Sequence, residues 1–240
     1  MILHSESSFL VYFGDAQDRC PSGKQEVQSG LTVGQVISLL QEKLHLTTVS
    51  TLKQTHSATG LVISCHEYAM SDGAHVHEGD YLITPVTRAG LAVFTADCLP
   101  IVVYDSLHDI VGIAHSGWRG TVANIVSVMV KHMMRDFDSQ INNMHFFLGP
   151  CAKVCCYEVS EDFITHIEQF SFLDKILIKK SNKLMFDNIA CNLLLLEQLG
   201  VEPEAVSTEY ALCTMCHDTF YSHRRDGSAA GSNVTIVALK

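Results

Sequence analysis

The chain has 240 residues, 47% hydrophobic and 18% charged, with a formal net charge of -10. That length and apolar content support a sizeable buried core. The negative balance argues against a nucleic-acid or anionic-membrane surface, since either needs a basic patch.

No stretch reaches the roughly 20 apolar residues of a membrane span. The start, MILHSESSFLVYFG, lacks the basic region and long apolar run of a secretion signal. Without such a signal, the nine cysteines read as reduced thiols, and the expected location is cytoplasmic. No fixed-period repeat or Pro/Gly/Ser-rich linker divides the chain, so a single domain over 1–240 is expected.

In chain order, the first strong signal is TVGQVISLLQEKLHL (32–46). Val33, Val36, Ile37, Leu40 and Leu44 recur at helical spacing, and Thr32 with Gln35 forms a capping box. Strand patterns follow at LVISCHEY (61–68), DYLIT (80–84), GLAVFTAD (90–97), LPIVVYD (99–105) and IVGIAHS (110–116). The short polar DSLHD joins the last two as a hairpin. After Gly120, the residues Val122, Ile125, Val126, Met129, Val130 and Met133 share one helical face. MHFFLGP (144–150) reads as a strand, EDFITHIEQF (161–170) as a helix and KILIKK (175–180) as a strand. Asp187 caps a helix that stops at Gly200, and VSTEYALC is a last strand before a polar C-terminal segment. Central strands with interspersed helices predict an α+β fold, a mixed α/β layered sandwich with packed sheets.

Three short segments each deliver a metal-capable side chain at a strand end or turn. These are His56 in KQTHSATG, Cys98 in TADCLP and His115 in AHSGWRG, 42 and then 17 residues apart. Two imidazoles and a thiolate suit Zn²⁺ and leave a fourth position open, as in catalytic sites. Spacing alone favours a second reading, a core cysteine with two surface or core-satisfied histidines. In HSGWRG, Gly117 and Gly120 permit tight geometry before a helix start, which suits an anion, and Arg119 could add a bidentate contact. Arg224 and Arg225 in YSHRRDG form a compact basic point, for phosphate contact or for pairing with Asp226 or Glu158. The Cys213–Cys216 pair in CTMC and the adjacent Cys155–Cys156 read as packing or turns, because no second CxxC exists. His75 and His77 in HVHEGD read as exposed and idle. Asp97 beside Cys98 reads as a group supporting the site, since regular strand alternation would turn it away from the cysteine.

Taken jointly, QTHSATG, the block GDYLITPVTRAGLAVFTADCLPIVVYD with IVGIAHSGWRG, then LGPCAKVCCYEV and CTMC with FYSHRRDG resemble the YfiH family. That family is also labelled DUF152, laccase-like polyphenol oxidase or peptidoglycan editing factor. The resemblance covers most of the chain beyond about residue 50. It implies a YfiH-like layered fold, whose core layout resembles cysteine-histidine deamidating toxins, and one zinc ion on His56, Cys98 and His115. These three are the expected catalytic residues, with Gln54, Arg119 and Arg225 as substrate contacts.

The implied activity is phosphorolysis of adenosine, inosine, guanosine and 5'-methylthioadenosine, and deamination of adenosine. Inorganic phosphate would be the co-substrate, and the partners small molecules only. The alternatives are a cysteine hydrolase or amidase acting on peptidoglycan precursors through Cys98, and a copper-dependent polyphenol oxidase. Two departures stand out: FGDAQDRCPSGK lacks the family's N-terminal FxTRxGG-type turn, and Ala230-Gly231-Ser232 replaces its C-terminal TGR.

Overall fold

A computed structural model describes residues 1–22, 30–65 and 77–240. The chain opens with β1 (Ile2–Ser5) and β2 (Phe9–Phe13), then α1 (Val33–Lys43), β3 (Thr48–Ser50), β4 (Gly60–Val62) and β5 (Tyr81–Thr84). Three long strands follow, β6 (Ala89–Thr95), β7 (Leu99–Asp105) and β8 (Ile110–Ser116), then α2 (Trp118–Val122), α3 (Ile125–Phe137) and β9 (Met144–Leu148). The last third holds β10 (Glu158–Val159), α4 (Ile164–Ile167), α5 (Leu173–Ile176), β11 (Leu177–Lys180) and β12 (Lys183–Phe186). It ends with α6 (Asn188–Gln198), β13 (Val206–Ser207), α7 (His223–Asp226) and β14 (Asn233–Leu239).

Two mixed sheets lie face to face. One has the order β1-β2-β14-β6-β3 and the other β13-β9-β7-β8-β5-β4; a small third sheet, β10-β12-β11, lies apart from both orders. Strand alternation sorts the side chains into layers. Val11, Leu91, Val93 and Val237 meet Leu82, Val102, Val111 and Ile113 between the sheets. The opposite side of the first sheet, through Leu10, Tyr12, Ala92 and Ile236, packs on Val36 and Leu40 of α1. The opposite side of the second, through Ile83, Ile101, Val103 and Phe146, packs on α3 and α6. The expected layered sandwich is therefore built as helix, sheet, sheet, helices. Because β6, β7 and β8 are covered on both faces, they read as continuous apolar runs rather than alternating ones.

Several local expectations hold in detail. Thr32 and Gln35 exchange the two capping-box bonds at 3.2 and 2.8 Å. Asp187 accepts from the Ala190 N–H at 2.9 Å, and Gly200 takes a φ of 87° just past α6. The hairpin pairs Asp105 with Ile110, its turn gathered by the Asp105 carboxylate, which accepts from the Leu107 N–H.

Others are corrected. The helix expected after Gly120 begins earlier, at Trp118, and breaks at Asn124 in the left-handed region (φ 60°) before α3 starts. The 161–170 helix shrinks to a 3-10 turn plus α4, and the 175–180 strand loses its start to α5. The VSTEYALC strand forms only at Val206–Ser207, with Cys213 making an isolated bridge to Cys151. The last three are short segments whose propensity yields to tertiary packing. The strand read at 61–68 forms over its first residues as β4; residues 66–68, and His75, lie outside the described residues. No helix among the described residues is long and apolar enough to cross a membrane.

Candidate metal centre

His56, Cys98 and His115 converge at one end of the six-stranded sheet, beside the ends of its central strands β7 and β8. Their ligand atoms all lie within 4.8 Å of one another. His115 is at the end of β8, 3% exposed. Cys98 occupies the turn between β6 and β7, half-buried, and His56 sits in the loop before β4 in the left-handed region (φ 59°), exposed. The Cys98 Sγ is 4.0 Å from His56 Nε2, and the two imidazoles meet edge to face with centroids 4.8 Å apart. Gly117 permits this approach. A Cβ at that position would lie 2.9 Å from Cys98 Sγ and 3.1 Å from His56 Cδ2.

Asp80, just ahead of β5 and 1% exposed, organises the group. One oxygen accepts from His115 Nδ1 at 2.9 Å and from the His56 N–H at 3.0 Å. The other accepts from the Ser57 N–H and hydroxyl at 2.6 and 2.7 Å, and from the Thr55 N–H at 3.2 Å. The carboxylate thus fixes the His115 tautomer and leaves Nε2 for a ligand, the usual carboxylate–histidine arrangement behind a metal. Sequence reading passed over Asp80. Its one signal was an acid directly preceding an apolar strand, in GDYLIT.

The electrostatics follow from this packing. Burial raises the Asp80 carboxyl, but hydrogen bonds from His115 and Ser57 outweigh it and hold the group well below the usual carboxylate range. Burial likewise raises the Cys98 thiol, yet the neighbouring His115 charge and hydrogen bonds from both histidines bring it down to about 6. Burial lowers His115, and the Cys98 thiolate with Asp80 overcomes that, raising it to about 9. A thiolate between two imidazoles, with a carboxylate behind, fits one soft or borderline divalent ion.

The alternation objection to Asp97 dissolves, because it lies between the strands with a φ of 87°. Its carboxylate accepts from Thr214 Oγ1 at 2.7 Å and from the Arg224 N–H at 2.7 Å, and its carbonyl accepts from the Ala152 N–H. Asp97 therefore fastens the Cys98 turn to two C-terminal segments.

The other expected contacts are placed differently. Arg119 is exposed in α2, its guanidinium 4.3 Å over the Trp118 ring. The Gln54 amide exchanges two 2.8 Å bonds with the Phe94 backbone, clamping the histidine loop to β6. Arg225 donates to Asp226 and to the carbonyls of Thr214 and Phe220. The expectation that Gln54 and Arg225 contact substrate thus meets polar groups already engaged within the chain. Arg224 donates to the Glu158 carbonyl and lies over Tyr157. His77 is exposed and joins no ligand group among the described residues.

Fold and site together define a layered α+β protein with a cysteine–histidine centre able to hold one metal. A family model described as "Multi-copper polyphenol oxidoreductase laccase" matches residues 23–240, and the chain belongs to this family. The resemblance to YfiH proteins holds in three dimensions. The crystal structure of a Bacillus licheniformis hypothetical protein YfiH superposes with a TM-score of 0.83 at 25% identity, covering 97% of this chain and 93% of that one. A purine nucleoside phosphorylase of Clostridium acetobutylicum is 30% identical over 84% of this chain and 81% of its own length. An adenosine deaminase of an unknown prokaryotic organism is 33% identical over 78% of this chain and 74% of its own length.

Proposed function

We propose that the chain is a zinc-dependent nucleoside-processing enzyme. Its main reaction would be phosphorolysis of purine nucleosides (adenosine, inosine, guanosine and 5'-methylthioadenosine), with deamination of adenosine at the same centre. The observation that carries this reading is the His56–Cys98–His115 group backed by Asp80. The names of the relatives supply the substrate class.

Zn²⁺ held by His56, Cys98 and His115 would supply Lewis-acid chemistry and would make a water more acidic. The chain's own residues do the rest. Asp80 keeps a proton on His115 Nδ1 and holds the His56 loop in place. Arg119, the exposed cation in the segment that carries His115, is assigned to the phosphate co-substrate, for which a guanidinium is suited. Gln54 and Arg225 are assigned to positioning the loops around the centre.

One thiolate and two imidazoles are also a donor set for a single copper ion. A multi-copper cluster needs more imidazoles, and the other potential ligand group among the described residues is made of cysteines alone. A second reading, a metal-free cysteine hydrolase acting on peptidoglycan precursors, draws support from the lowered Cys98 thiol beside His115.

A screen of purine nucleosides and muropeptide precursors, with and without phosphate, separates these readings when metal content is measured on the same sample. Phosphate-dependent release of free base, one zinc on the trio and loss of at least 100-fold in Cys98→Ala are expected, a lost ligand costing more than a lost outer-shell partner. Full phosphorolysis by Cys98→Ala, or activity that survives complete chelation, would sink the zinc reading.

A further inference from the structure

Two cysteine pairs that look unrelated in the sequence converge in the fold. Cys155 and Cys156 are adjacent, and Cys213 and Cys216 have a CxxC spacing. All four sulfur atoms lie within 4.8 Å of one another, with Cys156–Cys216 at 3.3 Å and Cys155–Cys216 at 3.7 Å. Tetrahedral ZnS₄ with Zn–S bonds of about 2.3 Å has sulfur–sulfur edges of about 3.8 Å. The cluster thus already has the dimensions of a four-thiolate site.

The backbone is shaped to produce this. Residues 154–156 form a turn, closed by the Cys156 N–H donating to the Lys153 carbonyl at 2.9 Å. A turn lets adjacent side chains point the same way, which an extended strand forbids. A bridge between Cys151 and Cys213 sets the register of the two loops, through Cys151 N–H to the Leu212 carbonyl and Thr214 N–H to the Cys151 carbonyl, both 3.0 Å. The Cys213 sulfur accepts backbone N–H bonds from Lys153 and Cys216. Arg225 donates to the carbonyls of Thr214 and His217, placing a fixed cation against the loop.

We propose that Cys155, Cys156, Cys213 and Cys216 form a second metal site, a closed four-sulfur zinc site separate from the His56–Cys98–His115 centre. With four protein ligands it leaves no open position, so its role is structural. Each thiol that binds gives its proton to solvent, and no electron transfer is involved. Its effect reaches the first centre through one bond, because Thr214, inside the CxxC loop, donates to Asp97, the neighbour of Cys98. The zinc locks the 151–157 and 213–217 loops together, and Asp97 passes that rigidity to the Cys98 turn.

The test is zinc stoichiometry of the full chain, freed of metal, reduced and reloaded with Zn²⁺ alone, read by native mass spectrometry. Two zinc ions per chain are expected for the unmodified protein, one for Cys216→Ser, one for Cys98→Ala and none for the double variant. Unchanged zinc content in Cys216→Ser overturns the proposal, as does a single ion that Cys98→Ala abolishes. Failure of Cys98→Ala to lose an ion would count against the first centre only, which keeps the two assignments apart. Should Cys216→Ser fold poorly, alkylation of the unmodified protein decides: Zn²⁺ should protect the exposed Cys155 and Cys216 at least 10-fold. Equal labelling with and without zinc, or a Cys156–Cys216 disulfide in the reduced, zinc-loaded protein, overturns it.

Discussion

At the scale of single residues, Asp80 and Cys98 set each other's charge through His115. The Asp80 carboxylate favours the His115 imidazolium, and the imidazolium favours the Cys98 thiolate. In metal-free protein the ion pair therefore exists between about pH 6, where the thiol protonates, and about pH 9, where His115 loses its proton. Alkylation of Cys98, followed by mass spectrometry, should rise as pH increases through about 6 rather than through the ordinary thiol range. Asp80→Asn removes the anion behind His115, so the profile should move to higher pH. Zinc affinity should fall about 10–100-fold, the usual cost of losing such an outer partner. An unshifted profile in Asp80→Asn would show that His115 draws its charge from elsewhere.

At the scale of elements, the site depends on how α6 grips the end of β8. Ser116 Oγ contacts Thr121 Oγ1 at 2.8 Å and Asn192 Oδ1 at 3.0 Å; Thr121 Oγ1 bonds Asn188 Oδ1 at 2.8 Å, and Asn188 Nδ2 donates to the Ser116 carbonyl. All four residues are buried, so any one left unmatched carries a desolvation cost of about 1–3 kcal/mol. Asn192→Ala strips Ser116 and Thr121 of a partner and opens a small void. Urea unfolding should show a loss of about 1–3 kcal/mol with little change in slope. The end of β8 that carries His115, and Gly117 just beyond it, are tied to this network, so zinc should also be held less tightly.

At the scale of the molecule, segments around residues 56, 80, 98, 115, 152, 214 and 224 meet at one end of the sheets, and Asp97 is the hub of the C-terminal group. Asp97→Ala frees Thr214, the Arg224 N–H and the turn they hold. Hydrogen exchange should accelerate across 213–226 while the β6–β7–β8 core stays protected, and KM should rise more than kcat falls. Unchanged exchange in that segment would mean that Arg225 and its carbonyl partners hold it unaided.

Much of this was legible in residue order. The long strands, the hairpin and the caps at Thr32 and Asp187 rest on local hydrophobic runs and on side chains that bond within four residues. His56, Cys98 and His115 stood out because each lies in a distinctive short motif. Asp80 and the meeting of the two cysteine pairs were not legible, because their partners lie from 23 to 61 residues away along the chain. By itself the sequence determined the layered α+β plan, since periodicity is a local property, and it offered donor side chains at His56, Cys98 and His115, which only the YfiH resemblance grouped into one centre. Only the tertiary structure decided that Asp80 serves both histidines, that Asp97 fastens loops, and that four scattered thiols share one small volume. Burial and hydrogen bonding between distant segments create those relations, and no local pattern encodes them.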